Sequence, residues 1–246
     1  MVQDQLIRFP PTRRAVAKQQ TRRRLIAAAK TLVAERGYEA ATLRDVAAMA
    51  QMSTGAVFAN FADKADLFNE VIIDDHADLL AQMKHAADEQ ATPRERLLSM
   101  LCAGYALRFP QLSLMQAQLG FSWSNDRGLE QRNRLGVRPI LEVLAEVLRD
   151  GVRAGELTSA IDADLIAEMI WDNYVANYRH AIFDGWTVEA LCERVAKQID
   201  VLLDAYWIAG CREASASWPV SARGGEAALR AQPSRMIAET RAALRG

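Results

Sequence analysis

Strand-forming runs are nearly absent from this chain, cysteine numbers only three residues in 246, and no stretch of eighteen apolar residues occurs anywhere. Each shortage removes a class of protein. Without a long apolar run no segment is expected to cross a membrane. Cys102, Cys192 and Cys211 are odd in number, far apart, and lack any CxxC or Cys/His ligand spacing, so they read as buried or free thiols. The opening MVQDQLIRFPPTRR has no continuous apolar region before its prolines and arginines, so no signal peptide is expected. A reducing cytoplasm is the compartment these features suit. Catalytic signatures are missing too, with no GxGxxG, Walker loop, GxSxG or HExxH. His76, His85 and His180 stand alone, and Asp74-Asp75-His76 on a helix would point to different faces, which is poor metal geometry. All three histidines are expected to face solvent. No catalytic residue, metal ligand or cofactor is therefore assigned.

What is present is apolar mass and a divided charge. Half of the residues, 50%, are hydrophobic, enough for a sizeable core. Net charge is only -1, but residues 1–64 carry eleven Lys and Arg against five Asp and Glu, a net +6, and the remainder balances at -7. A basic head on an acidic body suits a protein that touches a polyanion with one part only.

Helix signals run the length of the chain. Residues 1–20 hold Pro10, Pro11 and several basic side chains without periodicity, and read as a mobile basic arm. Thr21 to Arg36 forms a first helix with Ile26, Ala29, Leu32 and Val33 on one stripe and Gly37 placed to cap it. Thr42 and Asp45 make a capping box for a short second helix ending near Ala50. Ser53 caps a third through about Phe61, and Asp63 with Asp66 caps a fourth. Longer amphipathic helices follow at about 64–90, 93–108, 111–123, 126–150, 162–184 and 187–207, with a loosely held tail over 208–246. The fold class is all-α. Its expected parts are a 21–66 helix-turn-helix DNA-binding domain and a 67–207 effector-binding and dimerisation domain.

Residues 42 to 64 carry the chemistry. Two short helices joined by a tight turn form a helix-turn-helix, whose second helix can lie in a major groove and offer its first residues to base edges. Small side chains at Ser53, Thr54, Gly55 and Ala56 let that backbone approach closely, while Thr42 and Lys64 open neighbouring helices where an anion is favoured. The DNA-facing set is Thr42, Arg44, Ser53, Thr54, Gly55, Ala56, Phe58, Asn60 and Lys64. An ordinary three-helix packing corner would use the same caps and stripes, but it leaves the charge asymmetry and Lys64 without a role.

The run TLRDVAAMAQMSTGAVFANFADKADLF resembles the head of the tetracycline-repressor (TetR) family. That family's Thr-led helix, AGVS-like turn, Tyr-x-x-Phe recognition helix and following Lys fall here on Thr42, Ala50 to Ser53, Phe58 to Phe61, and Lys64. The likeness covers about residues 21–70. Two positions depart from it. Gln51 replaces a common glycine, at a cost of about 1 kcal/mol if its backbone is left-handed, and Phe58 lacks the tyrosine hydroxyl that meets a phosphate in relatives. Arg13, Arg14, Lys18 and Arg22 to Arg24 are either a substitute that tracks the DNA backbone or a solvated basic face.

The resemblance implies a ligand-responsive regulator, a repressor that binds a palindromic operator in double-stranded DNA as a homodimer and is released by a small, largely apolar effector. The helices at about 162–207 would pair with their copies through Leu165, Met169, Val188, Leu191, Val195, Ile199, Leu202 and Leu203. Middle helices would enclose the effector, with Tyr105, Phe109, Met115, Phe121, Trp123, Trp171, Asn173, Tyr174, Asn177 and Tyr178 as lining. Taken singly, each of these fits a plain core position as well. A competing reading is a helical small-molecule-binding protein or enzyme whose three-helix head is merely structural.

Overall fold

The computed structural model describes residues 13–87, 92–121, 127–209 and 211. Nine α-helices occupy most of these: α1 (Arg13–Ala40), α2 (Leu43–Met49), α3 (Thr54–Phe58), α4 (Lys64–Ala87), α5 (Pro93–Arg108), α6 (Leu112–Phe121), α7 (Arg127–Arg153), α8 (Ala163–Asp184) and α9 (Val188–Leu203). The chain divides into two compact units, Met1–Val71 and Ile72–Gly246, and the division falls within α4.

In the first unit, α1 begins at Arg13, eight residues before the expected start. Residues 13–20 are all exposed, so no buried stripe announces these turns; they form because Arg, Ala, Lys and Gln are good helix formers and no Gly or Pro occurs between Pro11 and Gly37. The rest of the expected arm lies outside the described residues. Gly37 breaks α1 at φ 79°, ψ 165°, a conformation open to glycine alone. The stripe Ile26, Ala29, Leu32 and Val33 is buried, and it packs in a core with Val46, Val57, Phe61, Leu67 and Phe68. The third helix closes at Phe58, with its cap at Ala59, short of the expected Phe61.

Short polar caps set most boundaries in the second unit. Thr92 and Glu95 form a reciprocal capping box ahead of Pro93, Asp162 accepts from Leu165 N at 3.1 Å, and Thr187 caps α9. Gly185 ends α8 in the left-handed conformation at φ 69°. The expected stop at Gly151 is not taken, and α7 continues to Arg153. Gly151 serves contact instead: a Cβ there would lie 2.6 Å from Pro93 Cγ and 2.9 Å from Leu157 Cδ1, so its absence lets the start of α5 approach. Helix α5 packs on α9 and α7, and α8 packs on α6, α7 and α9. Their shared core includes Leu97, Leu101, Leu144, Leu148, Ile170, Leu191, Val195, Ile199 and Leu203. None of the described helices is long and apolar enough to cross a membrane.

Two expectations fail here. Cys102 and Cys192, read as separate thiols, are joined as a disulfide that ties α5 to α9. Ninety residues separate them in sequence, and only the α5–α9 packing brings their Cα atoms to 5.4 Å. His76, expected at the surface, is 3% exposed, whereas His85 is exposed and His180 is half-buried. The inward stripe of α4 runs Ile72, Asp75, His76, Leu79, Met83, so two polar residues occupy apolar positions.

Burial, reinforced by the Arg108 guanidinium, lowers the His76 pKa from 6.5 to about 3. The unfolded chain therefore takes up this proton first. The neutral ring's contribution is complete above the unfolded pKa of 6.5 and is lost as pH falls toward about 3, at up to about 1.4 kcal/mol per pH unit. Urea unfolding over roughly pH 7 to 4, within the window set by that shift, should show a shallower loss of stability in His76→Leu than in the wild type. Parallel pH dependences would mean that the ring is not held neutral.

Candidate functional site

Closure of the turn between α2 and α3 decides where the third helix points. Met52 N donates to Ala47 O at 2.9 Å and Gln51 N to Ala48 O at 3.1 Å, the paired bonds of a Schellman motif. The residue between cap and bond is Gln51, at φ 55° the sole described non-glycine residue with positive φ. Arg24 Nη2 donates to Ala50 O at 2.8 Å and satisfies a further carbonyl at the end of α2. At the other end of α2, Thr42 Oγ1 donates to Asp45 Oδ2 at 2.6 Å and Thr42 N to the same oxygen at 3.2 Å, while Asp45 N returns a bond to Thr42 Oγ1. Those bonds hold the Asp45 carboxyl below its ordinary pKa. Both donors of Thr42 are thereby engaged within the capping box.

Helix α3 is braced from behind. Ser53 Oγ accepts from Ala56 N at 3.2 Å, Asn60 Nδ2 donates to Ala56 O at 2.8 Å, and Arg22 Nη1 donates to Asn60 O at 2.8 Å. Arg22 also pairs with Glu70 at 3.0 Å and lies 4.4 Å above the Phe61 ring. Arg22 and Arg24 thus help hold the domain together, and Arg13, Arg14, Lys18, Arg23 and Arg24 are exposed on α1. Asn60 is likewise turned inward, and Lys64 Nζ donates to Glu39 O at 3.1 Å while sitting 4.2 Å from the Tyr38 ring centre. An ammonium carries three donors, so this bond alone does not exhaust Lys64.

The outer face of α3 remains open. Gly55 is exposed, and a Cβ built on it would meet only Ser53 Oγ, at 3.7 Å. Glycine in a helix costs about 1 kcal/mol relative to alanine, and nothing inside the unit requires it here. Thr54 and Ala56 are half-buried beside it, Ser53 and Arg44 are exposed, and Phe58 is 58% exposed. A large aromatic ring and a bare backbone share one short helix.

The expected effector lining behaves differently. Tyr105 stacks on Tyr174 at 4.5 Å, Tyr178 meets Tyr105 edge-on at 5.2 Å, and Trp171 stacks on Tyr174 at 5.2 Å. Hydrogen bonds lock them: Tyr105 Oη donates to Tyr174 O at 3.2 Å, Asn177 Nδ2 donates to Tyr105 Oη at 3.0 Å and to Gln198 Oε1 at 2.7 Å, and the Tyr174 and Tyr178 hydroxyls lie 2.7 Å apart. Gln198 Nε2 donates in turn to Asn173 Oδ1 at 3.2 Å. Gly104 makes this possible, since a Cβ there would stand 2.6 Å from Tyr174 Oη. Burial pushes the Tyr174 phenol up to about 12. These rings fill space by packing on one another, so they form core where a cavity lining was expected. Phe109 is half-buried after α5, and Met115 is buried. Phe121 ends α6, its side chain and all of Trp123 lying outside the described residues. A groove of about 620 Å³ runs elsewhere, beside Leu80, Lys84, Arg96, Val143, Glu146 and Arg149.

Sequence reasoning missed a polar cluster that the fold buries. Arg108 is 1% exposed; its Nε lies 3.8 Å from Asp75 Oδ2, and its Nη1 donates to Met115 Sδ at 3.7 Å. His76 is its neighbour on α4, with the Trp171 ring 6.2 Å from the imidazole. The signal was available: Leu97, Leu101, Tyr105 and Arg108 continue a single stripe of α5, so a charged residue stands at a core position.

Residues 25–71 are similar to a described family. The family model "Bacterial regulatory proteins, tetR family" matches residues 25–71. The HTH-type transcriptional repressor KstR2 of Mycobacterium tuberculosis is 28% identical over 158 residues, spanning 60% of this chain and 74% of that protein. The fatty acid metabolism regulator protein of Bacillus subtilis is 25% identical over 150 residues, covering 60% and 76%. Among solved structures, the Bacillus subtilis regulator FadR in complex with stearoyl-CoA superposes with a TM-score of 0.61 at 20% identity, over 74% of this chain and 97% of that one. At that identity the likeness is one of fold.

The turn offers a direct stability test. Gln51→Gly should remove left-handed strain and stabilise the first unit by about 0.5–1 kcal/mol after the added flexibility of the unfolded chain is subtracted. Denaturant unfolding monitored on that unit checks it, and a loss of stability would show that the Gln51 side chain contributes more than its backbone costs.

Proposed function

This chain is a TetR-family transcriptional regulator, and from that premise we propose that it is a repressor which binds a palindromic operator as a homodimer and is released by a small, largely apolar effector. The observation that carries the DNA half is the exposed face of α3, where Gly55 is open and a Cβ on it would meet only Ser53 Oγ. A helix so bared lets its backbone approach base edges. In this reading Ser53, Thr54, Gly55 and Ala56 face the groove. Thr42, Arg44 and Lys64 flank the phosphates, and the exposed cations of α1 add sequence-independent attraction. Such work belongs in the cytoplasm.

Self-association is supported by the apolar residues left outside the core. Leu165, Met169 and Phe183 recur along α8 at helical spacing, with Phe183 68% exposed, and Val201 on α9 is 77% exposed. Leu191, Val195, Ile199 and Leu203, once candidates for the same seam, are buried in the chain's own core and are not part of it. Two copies would read two half-sites and multiply specificity. The effector half is supported by a relative named as a fatty acid metabolism regulator protein.

Salt titration of binding to a duplex from the chain's own upstream region tests the assignment of roles. Lys64→Ala should weaken binding to all sequences and reduce the salt slope by about one. The slope isolates the phosphate contact, because the loss of the Lys64–Glu39 bond would lower affinity through stability alone. An unchanged slope would remove Lys64 from the phosphate set. Phe58→Tyr should tighten binding by restoring a hydroxyl within reach of a phosphate; equal affinity would place the phosphate out of its range.

A further inference from the structure

We propose that the second unit holds, at Arg108 and His76, a site for the uncharged hydroxyl or carbonyl end of an otherwise apolar small molecule. This deepens the effector reading above and rests on it. Arg108 carries five N–H donors in a side chain that is 1% exposed, and among the described residues neither its Nε nor its Nη2 makes a hydrogen bond. Both ring nitrogens of His76 are buried in the same condition. Packed interiors leave few polar groups in that state, and those that persist call for a bound partner.

A glycine lets α7 approach the cluster closely. Gly136 on α7 faces the imidazole, and a Cβ there would lie 3.2 Å from His76 Nδ1 and 3.3 Å from Ile73 Cγ1. The apolar surroundings are Met115, 3.7 Å from Arg108 Nη1, and Trp171, whose ring lies edge-on to His76. Donors and an acceptor thus stand together beside apolar side chains.

Charge selects the class of ligand. Asp75 stands 3.8 Å from Arg108, and His76 is neutral at ordinary pH, so the cluster is already balanced. A carboxylate or phosphate would bring an uncompensated negative charge into a buried site. A carbonyl oxygen can accept from the guanidinium, and a hydroxyl can in addition donate to the unprotonated His76 nitrogen.

Selective ¹⁵N labelling of histidine in the full chain gives the readout, with cyclohexanol, cyclohexanone and cyclohexanecarboxylate as probes. The alcohol and the ketone should shift the His76 ring nitrogens saturably, leaving His85 and His180 unmoved, and the carboxylate should not. Gly136→Ala keeps the fold, alanine being the better helix former, and should lower affinity for the two neutral probes by roughly tenfold or more through the lost hydrogen-bond geometry. The proposal is overturned if His76 stays silent to both neutral probes, which would make the cluster a hydrated structural element. It is equally overturned if the carboxylate binds as well as they do, or if Gly136→Ala binds them unchanged. Duplex affinity read in the same samples separates the two claims. A shift at His76 with unchanged DNA affinity would keep the site and refute release by effector. Loss of DNA affinity with His76 silent would do the reverse.

Discussion

The left-handed residue between α2 and α3 is the constraint on which the DNA-facing surface depends. With Gln51 at φ 55°, the amide of Met52 reaches Ala47 O, the chain reverses within three residues, and Ser53 arrives in the extended conformation needed to cap α3. Arg24 then closes the carbonyl of Ala50, and Arg22 reaches Asn60 O beyond the end of α3. Two arginines from α1 therefore fix both ends of the turn-and-helix segment. Because these braces are intramolecular, α3 is ordered before any partner binds, and in the proposed complex DNA need not bear the entropy of ordering it.

Local signals were legible in the sequence and distant ones were not. The caps at Thr42 and Ser53 act over three residues, and each starts a helix where reading them placed it; Thr92, Asp162 and Thr187 act over the same span. The first two turns of α1 were missed because they bury nothing, so an apolar stripe could not reveal them. The bracing roles of Arg22 and Arg24 depend on partners 38 and 26 residues away, which charge alone does not reveal. The Cys102–Cys192 pair is likewise a product of α5 lying on α9.

The second unit shows why counting aromatic residues does not identify a cavity. Tyr105, Tyr174 and Tyr178 satisfy one another by ring contacts and by hydrogen bonds among themselves and to Gly104 and Asn177. Burial without satisfaction is the more informative property, and it falls on Arg108 and His76. Both residues interrupt apolar stripes, a pattern that a sequence displays as soon as helix faces are traced. A polar residue at a core position has to be explained by a partner, and that expectation is physical where compositional enrichment is only statistical.

The central claim is that α3 reads DNA as one half of a symmetric pair. Selection of bound duplexes from a random pool, followed by hydroxyl-radical footprinting of the winners, tests it most directly. The account predicts an inverted repeat whose two half-sites are protected with centres about one helical turn, or a whole number of turns, apart. Enrichment of no sequence, together with binding that does not weaken as salt rises, would contradict it.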